Sequence, residues 1–413
     1  MENFNNFIKV TIRGNNIYKT HIYSVLEKMS NINKRRKDFI TETLILFLCI
    51  KGRINYLQLG RYGKHKEQRY RQQFEKPFDF LTFNKELILS HGSGQHVIAF
   101  DPSYISKSGK KTPGLGYFWS GCANQSKWGL EIGGLAAIDV DNHTAFHLEA
   151  VQTVPAKDQS LAQWYAQVVG ERKDVLKTMS KYLVADAWFS KKIFVDQVLQ
   201  CGMHMVGRLR DDADLQYLYQ GEPTGKPGRP KKYAGKVDHH NIDMDYFELC
   251  HEDDDSLIYS AVAYSKSLKR CIRLVHVIYT SKNGKQVYKL YFSTDTKQEP
   301  LEVVKYYRSR FQIEFLYRDA KQHTGLNHCQ ARSQNKLDFH FNASLTSVNL
   351  AKVTSWLNVP KEQRKAFSMT DIKTINHNML QLNLFFDKFA LNPYSPKNIK
   401  RANELIFYGT IAA

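Results

Sequence analysis

Two short apolar runs of the chain each end at an aspartate. The first covers residues 96–100 and leads to Asp101, after which Pro102 interrupts the run. The second covers residues 182–185 and leads to Asp186. Short, mostly apolar runs are typical of strands buried inside a sheet. The pattern therefore predicts two buried strands, each with an aspartate at its end that is either a cap for the next segment or part of a site.

The segments around these runs show strand and helix patterns in turn. Apolar and polar residues alternate over 128–140 and 144–154, and Asp141-Asn142-His143 between them predicts a hairpin turn. Asp139 and Asp141 are rival carboxylates, but turns favour aspartate for backbone reasons. The other predicted elements are a helix over 158–182 with Asp158 as candidate cap, a helix over 191–202 and a strand over 205–209. This order predicts an α/β fold.

The first 90 residues contain short helical patterns that are broken at glycines. The three patterns are residues 39–50 before Gly52, residues 54–62 before Gly63, and residues 64–74. The last of them is strongly basic and includes Arg69 and Arg71. Short helices with a basic final one are typical of helix-turn-helix DNA binders, so these two arginines are candidate DNA contacts. The alternative is a helical cap whose basic face is merely solvated.

Residues 211–300 combine strand patterns with two charged stretches. The strand patterns are 246–250, 257–264, 273–280 and 287–293, with Asn283-Gly284 as a hairpin turn. The basic stretch 226–232 reads KPGRPKK and resembles an AT-hook, which binds an A·T-rich minor groove. Arg229, Lys231 and Lys232 are therefore candidate DNA contacts, with a plain basic loop as the alternative. The acidic stretch 251–255 is interpreted as a solvated turn.

A helix predicted over residues 306–322 has the most informative polar pattern. Its spacings of three, four and seven place four polar side chains on one stripe, namely Tyr307, Arg310, Glu314 and Lys321. Glu314 could bind a cation that holds a phosphate. Arg310 and Lys321 could bind phosphate oxygens, and Tyr307 could donate a hydrogen bond. Judged on charge alone, the alternative is a surface helix with ion pairs between successive turns.

Length and charge narrow the class of partner. The chain has 413 residues, with 59 Lys and Arg against 40 Asp and Glu, and a formal charge of +19. This surplus favours nucleic acid. The longest apolar run, residues 44–50, is too short to span a bilayer, so no membrane partner is expected. Six cysteines without a CxxC pair indicate neither a zinc site nor a disulfide framework and favour a reducing cytoplasm.

The spacing Tyr-x2-Arg-x3-Glu-x6-Lys, from Tyr307 to Lys321, resembles the YREK signature of DDE transposases of the insertion-sequence type. The two upstream aspartates strengthen the resemblance. It implies a ribonuclease-H-like core in which Asp101, Asp186 and Glu314 are catalytic and bind two Mg²⁺ or Mn²⁺ ions. It also implies double-stranded DNA as partner, both terminal inverted repeats and a target. The subgroup, and whether the cut ends form a hairpin intermediate, stay open.

These observations together predict a ribonuclease-H-like mixed sheet flanked by helices, with a β-rich insertion. The predicted regions are a helical DNA-binding arm over 1–90, the first part of the core over 91–210, the insertion over 211–300, the catalytic helix over 301–335 and C-terminal helices over 336–413. The pattern of these last helices does not decide between capping the core and supplying dimer contacts.

The predicted function is cutting and joining DNA at the ends of an insertion sequence by two-metal-ion phosphodiester transfer. The resemblance implies a homodimer on DNA and a place in the bacterial cytoplasm with the nucleoid. The alternative is a non-catalytic DNA-binding regulator or domesticated transposase relative. Such a protein would keep the basic arm and the hook but would not need the three carboxylates.

Overall fold

The computed structural model describes residues 17–222, 230–281, 283–393 and 395–411. Its first elements are the helices α1 (Ile17–Lys28), α2 (Lys34–Cys49), α3 (Tyr56–Tyr62), α4 (Glu67–Phe74) and α5 (Phe80–His91). Asn33 and Asn55 accept hydrogen bonds from backbone N–H groups in the first turns of α2 and α3, which favours helix starts at these points. The short helices predicted for this region are therefore present.

Twelve strands in the described part form one mixed sheet. They are β1 (His96–Ser106), β2 (Gly116–Ser120), β3 (Gln125–Asp139), β4 (Thr144–Gln152), β5 (Tyr182–Val184), β6 (His204–Arg208), β7 (Leu215–Leu218), β8 (Tyr233–Lys236), β9 (Glu248–Glu252), β10 (Ser256–Ser265), β11 (Arg270–Thr280) and β12 (Gln286–Ser293). Their order is β2-β3-β1-β5-β6-β12-β11-β10-β7-β8, with β4 beside β3 and β9 beside β10. The pairs β1–β5 and β5–β6 are parallel.

The remaining helices lie between β4 and β6 or after β12. They are α6 (Leu161–Glu171), α7 (Lys173–Met179), α8 (Lys192–Gln200), α9 (Pro300–Ser309), α10 (Gln312–His323), α11 (Gln334–Ala351), α12 (Met369–Lys388) and α13 (Pro396–Ile406). The predicted fold class is confirmed: a mixed sheet flanked by helices, a β-rich segment before α9, and helices at both ends. Among the described residues, no helix is both long enough and apolar enough to cross a membrane.

The prediction that the first strand ends at Asp101 is wrong. β1 continues through Pro102 to Ser106 and stays paired with β3 along its whole length. On its other side, however, β1 pairs with β5 only at Ile98 and Ala99. A proline lacks the N–H that a central strand needs, but it is tolerated where one side of a strand is free. Asp101 therefore lies where β1 changes from a central strand to an edge strand.

Three other details between the two aspartates differ from prediction. β2 was not predicted, so Asp186 follows the fifth strand and not the fourth. The helix predicted over 158–182 is two helices, α6 and α7, with Arg172 between them. Its cap is Ser160 and not Asp158, because Ser160 and Gln163 form a reciprocal capping box. The hairpin of β3 and β4 has the predicted turn.

The β-rich segment continues the main sheet through the pairing of β12 with β6. Four of its strands match the predicted ones, whereas β7 and β8 were not predicted. The acidic stretch is a turn between β9 and β10, in which Asp253 accepts backbone hydrogen bonds from Asp255 and Ser256. Most of the basic stretch 226–232, including Arg229, lies outside the described residues.

The single helix predicted over residues 306–322 is two helices. α9 ends at Ser309 and α10 begins at Gln312. At the junction the N–H groups of Arg310 and Phe311 donate to carbonyls three residues back, which tightens the turn and interrupts the α-helical ladder. Pro300 occupies the first turn of α9, where its missing N–H costs no helical hydrogen bond. Gly325 after α10 has φ +74°, a left-handed conformation that commonly ends a helix.

α11 is buried on almost every side and closes the free edge of β4. The Asn342 amide accepts from the Ala150 N–H and donates to the Ala150 carbonyl. Two turns later, Asn349 makes the same pair of bonds with the backbone of His147. These side chains satisfy backbone groups that would otherwise lack a strand partner. The α11 helix thereby joins the N-terminal helices and the sheet in one hydrophobic core.

Candidate active site

The pairing of β1 with β5 brings Asp101 and Asp186 together. The last parallel pair is Ala99 with Val184, and each aspartate lies two residues further along its own strand. Neighbouring paired strands are separated by about 4.8 Å, so both aspartates follow β1 and β5 at the same edge of the sheet. One Asp186 carboxylate oxygen accepts the backbone N–H of Trp188 at 2.9 Å, which holds the side chain at the start of a 3₁₀ turn.

Glu314 reaches the same place from the first turn of α10. The Arg310 guanidinium connects it to β1, because Nη2 lies 2.8 Å from a Glu314 oxygen and Nη1 lies 3.4 Å from an Asp101 oxygen. The Arg310 and Asp101 side chains are only 15% and 16% exposed, whereas Glu314 is 41% exposed. The turn between α9 and α10 therefore points an arginine at two carboxylates from different elements.

Burial and the neighbouring charged groups determine the pKa of Asp101. Burial raises the pKa of Asp101 to about 7, the Arg310 guanidinium opposes this rise, and Asp186, Glu314 and Glu131 add to it. Each of these acids must be near Asp101 to act on its pKa. Glu131 was not predicted as part of the site. It is buried on β3 and accepts a hydrogen bond from the Tyr165 hydroxyl.

Two further residues support the backbone of Asp101, and neither was predicted. The Tyr317 hydroxyl on α10 donates to the Asp101 carbonyl at 2.6 Å. Gly134 pairs with Asp101 across the β1–β3 ladder. A Cβ atom on Gly134 would lie 1.8 Å from the Tyr317 hydroxyl oxygen, so only glycine leaves room for this contact. A glycine inside a predicted strand was the one signal in the sequence for a close approach of this kind.

The other two residues of the stripe lie on either side of this centre. Lys321 is mostly buried, and its ammonium donates to the Ser103 hydroxyl on β1 at 2.9 Å. Tyr307 on α9 packs against the Tyr291 ring, with centroids 4.9 Å apart. Burial raises the pKa of Tyr307, Arg310 opposes the rise and Asp186 adds to it. The stripe predicted from spacing therefore borders both aspartates.

The remaining candidate DNA contacts lie on other elements. Arg69 and Arg71 are exposed on α4, and Arg71 is paired with Glu67 at 2.5 Å. Lys231 and Lys232 are exposed just before β8, and the Lys231 ammonium lies 4.9 Å from the centre of the Tyr219 ring. Arg229 falls among the residues that the structure does not describe.

The carboxylates fit a divalent cation by their chemistry. Oxygen ligands of this kind suit Mg²⁺ and Mn²⁺. Within the described ranges, no three His, Cys, Asp or Glu side chains form a group that could hold a metal ion as they stand. Instead, Arg310 lies between Asp101 and Glu314 and supplies the positive charge that these groups require. A divalent cation would likewise neutralise the negative charge of these two carboxylates.

Comparison with known proteins identifies the family of the chain. The family described as the transposase DDE domain matches residues 94–350, a span that begins just before β1 and ends within α11. It contains Asp101, Asp186 and Glu314 and every strand of the sheet. No curated protein matches the chain. Because the match covers more than half of the sequence, the chain belongs to the DDE transposase family.

Proposed function

We propose that the protein is an insertion-sequence transposase of the YREK type, which cuts DNA at the ends of its element and joins the ends to a target. The observation that carries this proposal is the Arg310 guanidinium that joins Asp101 to Glu314, with Asp186 near enough to raise the pKa of Asp101. Membership of the transposase family makes DNA the substrate. The charge of +19 supports the same substrate.

The three carboxylates would hold two Mg²⁺ or Mn²⁺ ions. Such an ion pair stabilises both the attacking and the leaving oxygen in the transfer of a phosphodiester. The protein positions these groups: the pairing of β1 with β5 places both aspartates at one edge of the sheet, and Tyr317 and Gly134 fix the backbone at Asp101. Asp101 must be ionised to bind a cation, and Arg310 favours that state.

Three side chains around the carboxylates would position the scissile phosphate. Arg310 presents a planar fork that suits two phosphate oxygens once it is released from Asp101 and Glu314. Lys321 provides a mostly buried ammonium held by Ser103. Tyr307 provides a hydroxyl beside Arg310 and Asp186. Because they share the site with the ions, these groups would orient the phosphate and not only attract it.

The protein would also contact DNA away from the three carboxylates. Residues 1–90 and the basic stretch 226–232 would bind the terminal repeats, with contacts from Arg69, Arg71, Arg229, Lys231 and Lys232.

Two copies would hold the two ends of the element, because excision requires that both ends be held together. Light scattering with and without end DNA tests this: a complex that stays one chain per end while it completes excision would contradict it. The site of action would be the nucleoid in the bacterial cytoplasm.

The decisive experiment is nicking of a duplex that carries an end of the element that encodes the chain. The purified protein should cut this DNA with Mg²⁺ or Mn²⁺ and leave it intact in EDTA. A matched duplex with a scrambled end should remain uncut. Tight binding of the end without cleavage in either metal would favour the non-catalytic regulator instead.

A further inference from the structure

Two adjoining cavities lie beyond the carboxylates and share Arg53. The first has a volume of about 600 Å³ and is enclosed by Arg53, the loop that follows β1 and the segment 327–332. The second, of about 490 Å³, is enclosed by Arg53, the end of α10 and the start of α12. Arg53 lies between α2 and α3, so the cavities join the N-terminal helices to the catalytic core.

The lining of these cavities is positively charged. Among the residues that the structure describes, no aspartate or glutamate lines either of them. The lysines and arginines that line the cavities and take no part in any ion pair of the described residues are Lys51, Arg53, Lys107, Lys110, Lys111, Arg332 and Lys373. Lys373 is buried, and its ammonium donates to the carbonyls of Phe47 and Ile50. A group of cations without counter-charge repels itself, and a bound polyanion removes that cost.

Hydrogen bonds between the walls fix the shape of the cavities. The Lys107 ammonium donates to the carbonyls of Cys329 and Ala331, which connects the loop after β1 to the segment 327–332. The Ile54 N–H donates to Nδ1 of His328 at 3.1 Å, which connects that segment to the N-terminal helices. Because the backbone frame is built in advance, little ordering is required when a ligand binds.

The distance between the carboxylates and the cavities can be expressed as a number of base pairs of bound DNA. His323 in the second cavity lies nine residues after Glu314 on α10, a rise of about 13 Å. Lys107 in the first cavity lies six residues after Asp101 along β1, about 20 Å away. Each strand of DNA carries one phosphate per about 3.4 Å of axis, so these lengths correspond to about four to six base pairs.

We infer that the two cavities form one channel, centred on Arg53, that binds the sugar–phosphate backbone of duplex DNA about four to six base pairs from the phosphate that is cut. The inference rests on the proposed function for the position of that phosphate. No Phe, Tyr or Trp of the described segments lines either cavity, so the described walls of the channel offer bases no stacking surface. Lysines and arginines without such surfaces bind phosphates and carry no sequence information. The channel therefore sets the path of the DNA and not the choice of its end.

The first test compares binding of a 30-base-pair mixed-sequence duplex by the full-length protein and three variants in EDTA at several salt concentrations. Arg53→Ala and the double variant Lys110→Ala/Lys111→Ala should bind more weakly. For these variants, the slope of log affinity against log salt concentration should be less steep than for the wild type, by about 0.9 for each lost phosphate contact. The control is Lys177→Ala, an exposed lysine paired with Asp174 on α7, which should bind like the wild type.

The three variants replace exposed side chains, so melting temperatures near that of the wild type should show that folding is intact. If Arg53→Ala and the double variant keep both the affinity and the salt dependence of the wild type, the channel does not bind DNA. The same conclusion follows if heparin binds at Arg53 while duplex DNA does not compete with it. Because this test needs no cleavage, its result is independent of whether the protein cuts DNA.

The second test locates the contact. A cleavable end duplex is made with single uncharged methylphosphonates, and the position of the cut is first mapped with wild-type protein and Mg²⁺. Methylphosphonates about four to six base pairs from the cut should weaken binding of the wild type but not of Arg53→Ala. Equal sensitivity of both proteins at every position would overturn the inference. A wild-type protein that binds but never cuts would instead overturn the proposed function and leave the first test standing.

Discussion

Asp101 on β1 and Asp186 just after β5 each lie two residues beyond the last parallel pair of the two strands, Ala99 with Val184. Pairing between β1 and β5 stops at that point, so the two carboxylates stand where the strands separate. Glu314 is then connected to Asp101 by one arginine. We therefore expect each of the three acids to be required for cleavage.

Removal of any one carboxylate should abolish cleavage and spare DNA binding. Asp101→Asn, Asp186→Asn and Glu314→Gln should each reduce the cleavage rate by at least about 100-fold, because a lost ligand costs more than the 10–100-fold typical of groups around a metal. Affinity for end DNA should not fall, since no phosphate-binding cation is removed. Cleavage and binding are measured on the same end duplex.

The matched control is Asp139→Asn. Asp139 is buried in the same sheet, but it accepts hydrogen bonds from Ser93 and Asn142 at the turn between β3 and β4. This variant should lose thermal stability and keep its cleavage rate per folded molecule. Near-normal cleavage by a variant of Asp101, Asp186 or Glu314 would show that this acid is wrongly assigned.

Replacement of Arg310 should separate metal binding from cleavage. In Arg310→Ala the carboxylates lose their resident positive charge, so Mg²⁺ should raise the melting temperature more than it does in the wild type. Cleavage should nevertheless fall by at least about 10-fold, because the planar donor fork for phosphate is missing. Arg318→Ala, on the same helix but paired with Asp319, is the control. Equal Mg²⁺ effects in all three proteins would contradict the competition between Arg310 and the ion.

A methyl group at Gly134 should disturb the backbone at Asp101. Gly134→Ala would bring Cβ to 1.8 Å from the Tyr317 hydroxyl oxygen, and overpacking of this kind costs about 1–3 kcal/mol. Both the free energy of unfolding and the cleavage rate should fall. In the double variant with Tyr317→Phe the colliding oxygen is absent, so part of the lost stability should return. Additive losses in the double variant would mean that the two residues do not interact.

Stability should depend on pH through the buried His147. Burial lowers the pKa of His147 to about 3, although a hydrogen bond with Asn342 opposes this, whereas an unfolded histidine has a pKa of about 6.5. Above pH 6.5 neither state binds the proton. As the pH falls from 6.5 toward 3, only the unfolded state binds it, so the free energy of unfolding decreases.

The measurement is urea unfolding at pH 7.5 and pH 5 for the wild type and His147→Gln. At pH 5 the contribution of His147 is a loss of about 2 kcal/mol, so the variant should lose about 2 kcal/mol less than the wild type between the two values. All other titrating groups are shared by the two proteins and cancel in this difference. An identical loss in both proteins would show that His147 takes up its proton equally in both states.

Arg69 and Arg71 should differ in their effect on DNA binding. Arg71 is paired with Glu67, and its guanidinium carbon lies 4.7 Å from the centre of the Tyr56 ring. Arg69 is exposed and belongs to no ion pair among the described residues. Arg69→Glu should therefore weaken end binding and reduce its salt dependence by about 0.9. Arg71→Ala should weaken end binding less and should also reduce stability. An unaltered salt dependence in Arg69→Glu would make α4 a solvated face.

Local pattern was sufficient for many elements of the fold. Apolar runs before Asp101 and Asp186 predicted β1 and β5, and the turn residues 141–143 marked the hairpin of β3 and β4, because both signals are local. The two strands of the hairpin are buried almost continuously and not at every second residue. The helical stripe predicted that Arg310 and Glu314 would be neighbours for a similar local reason. The junction between α9 and α10 was missed, since nothing in the residue types at 310–311 prevents a continuous helix.

The sequence by itself thus predicted which residues would carry the chemistry and which local elements hold them. Only the tertiary structure decided that Asp101 and Asp186 lie at the same edge of the sheet, that Tyr317 supports the Asp101 carbonyl, and that Arg310 connects β1 to α10. The physical reason is distance along the chain. Strand register and contacts across layers depend on the packing of the whole core, in which segments 80 to 220 residues apart must fit together, and no local periodicity encodes that fit.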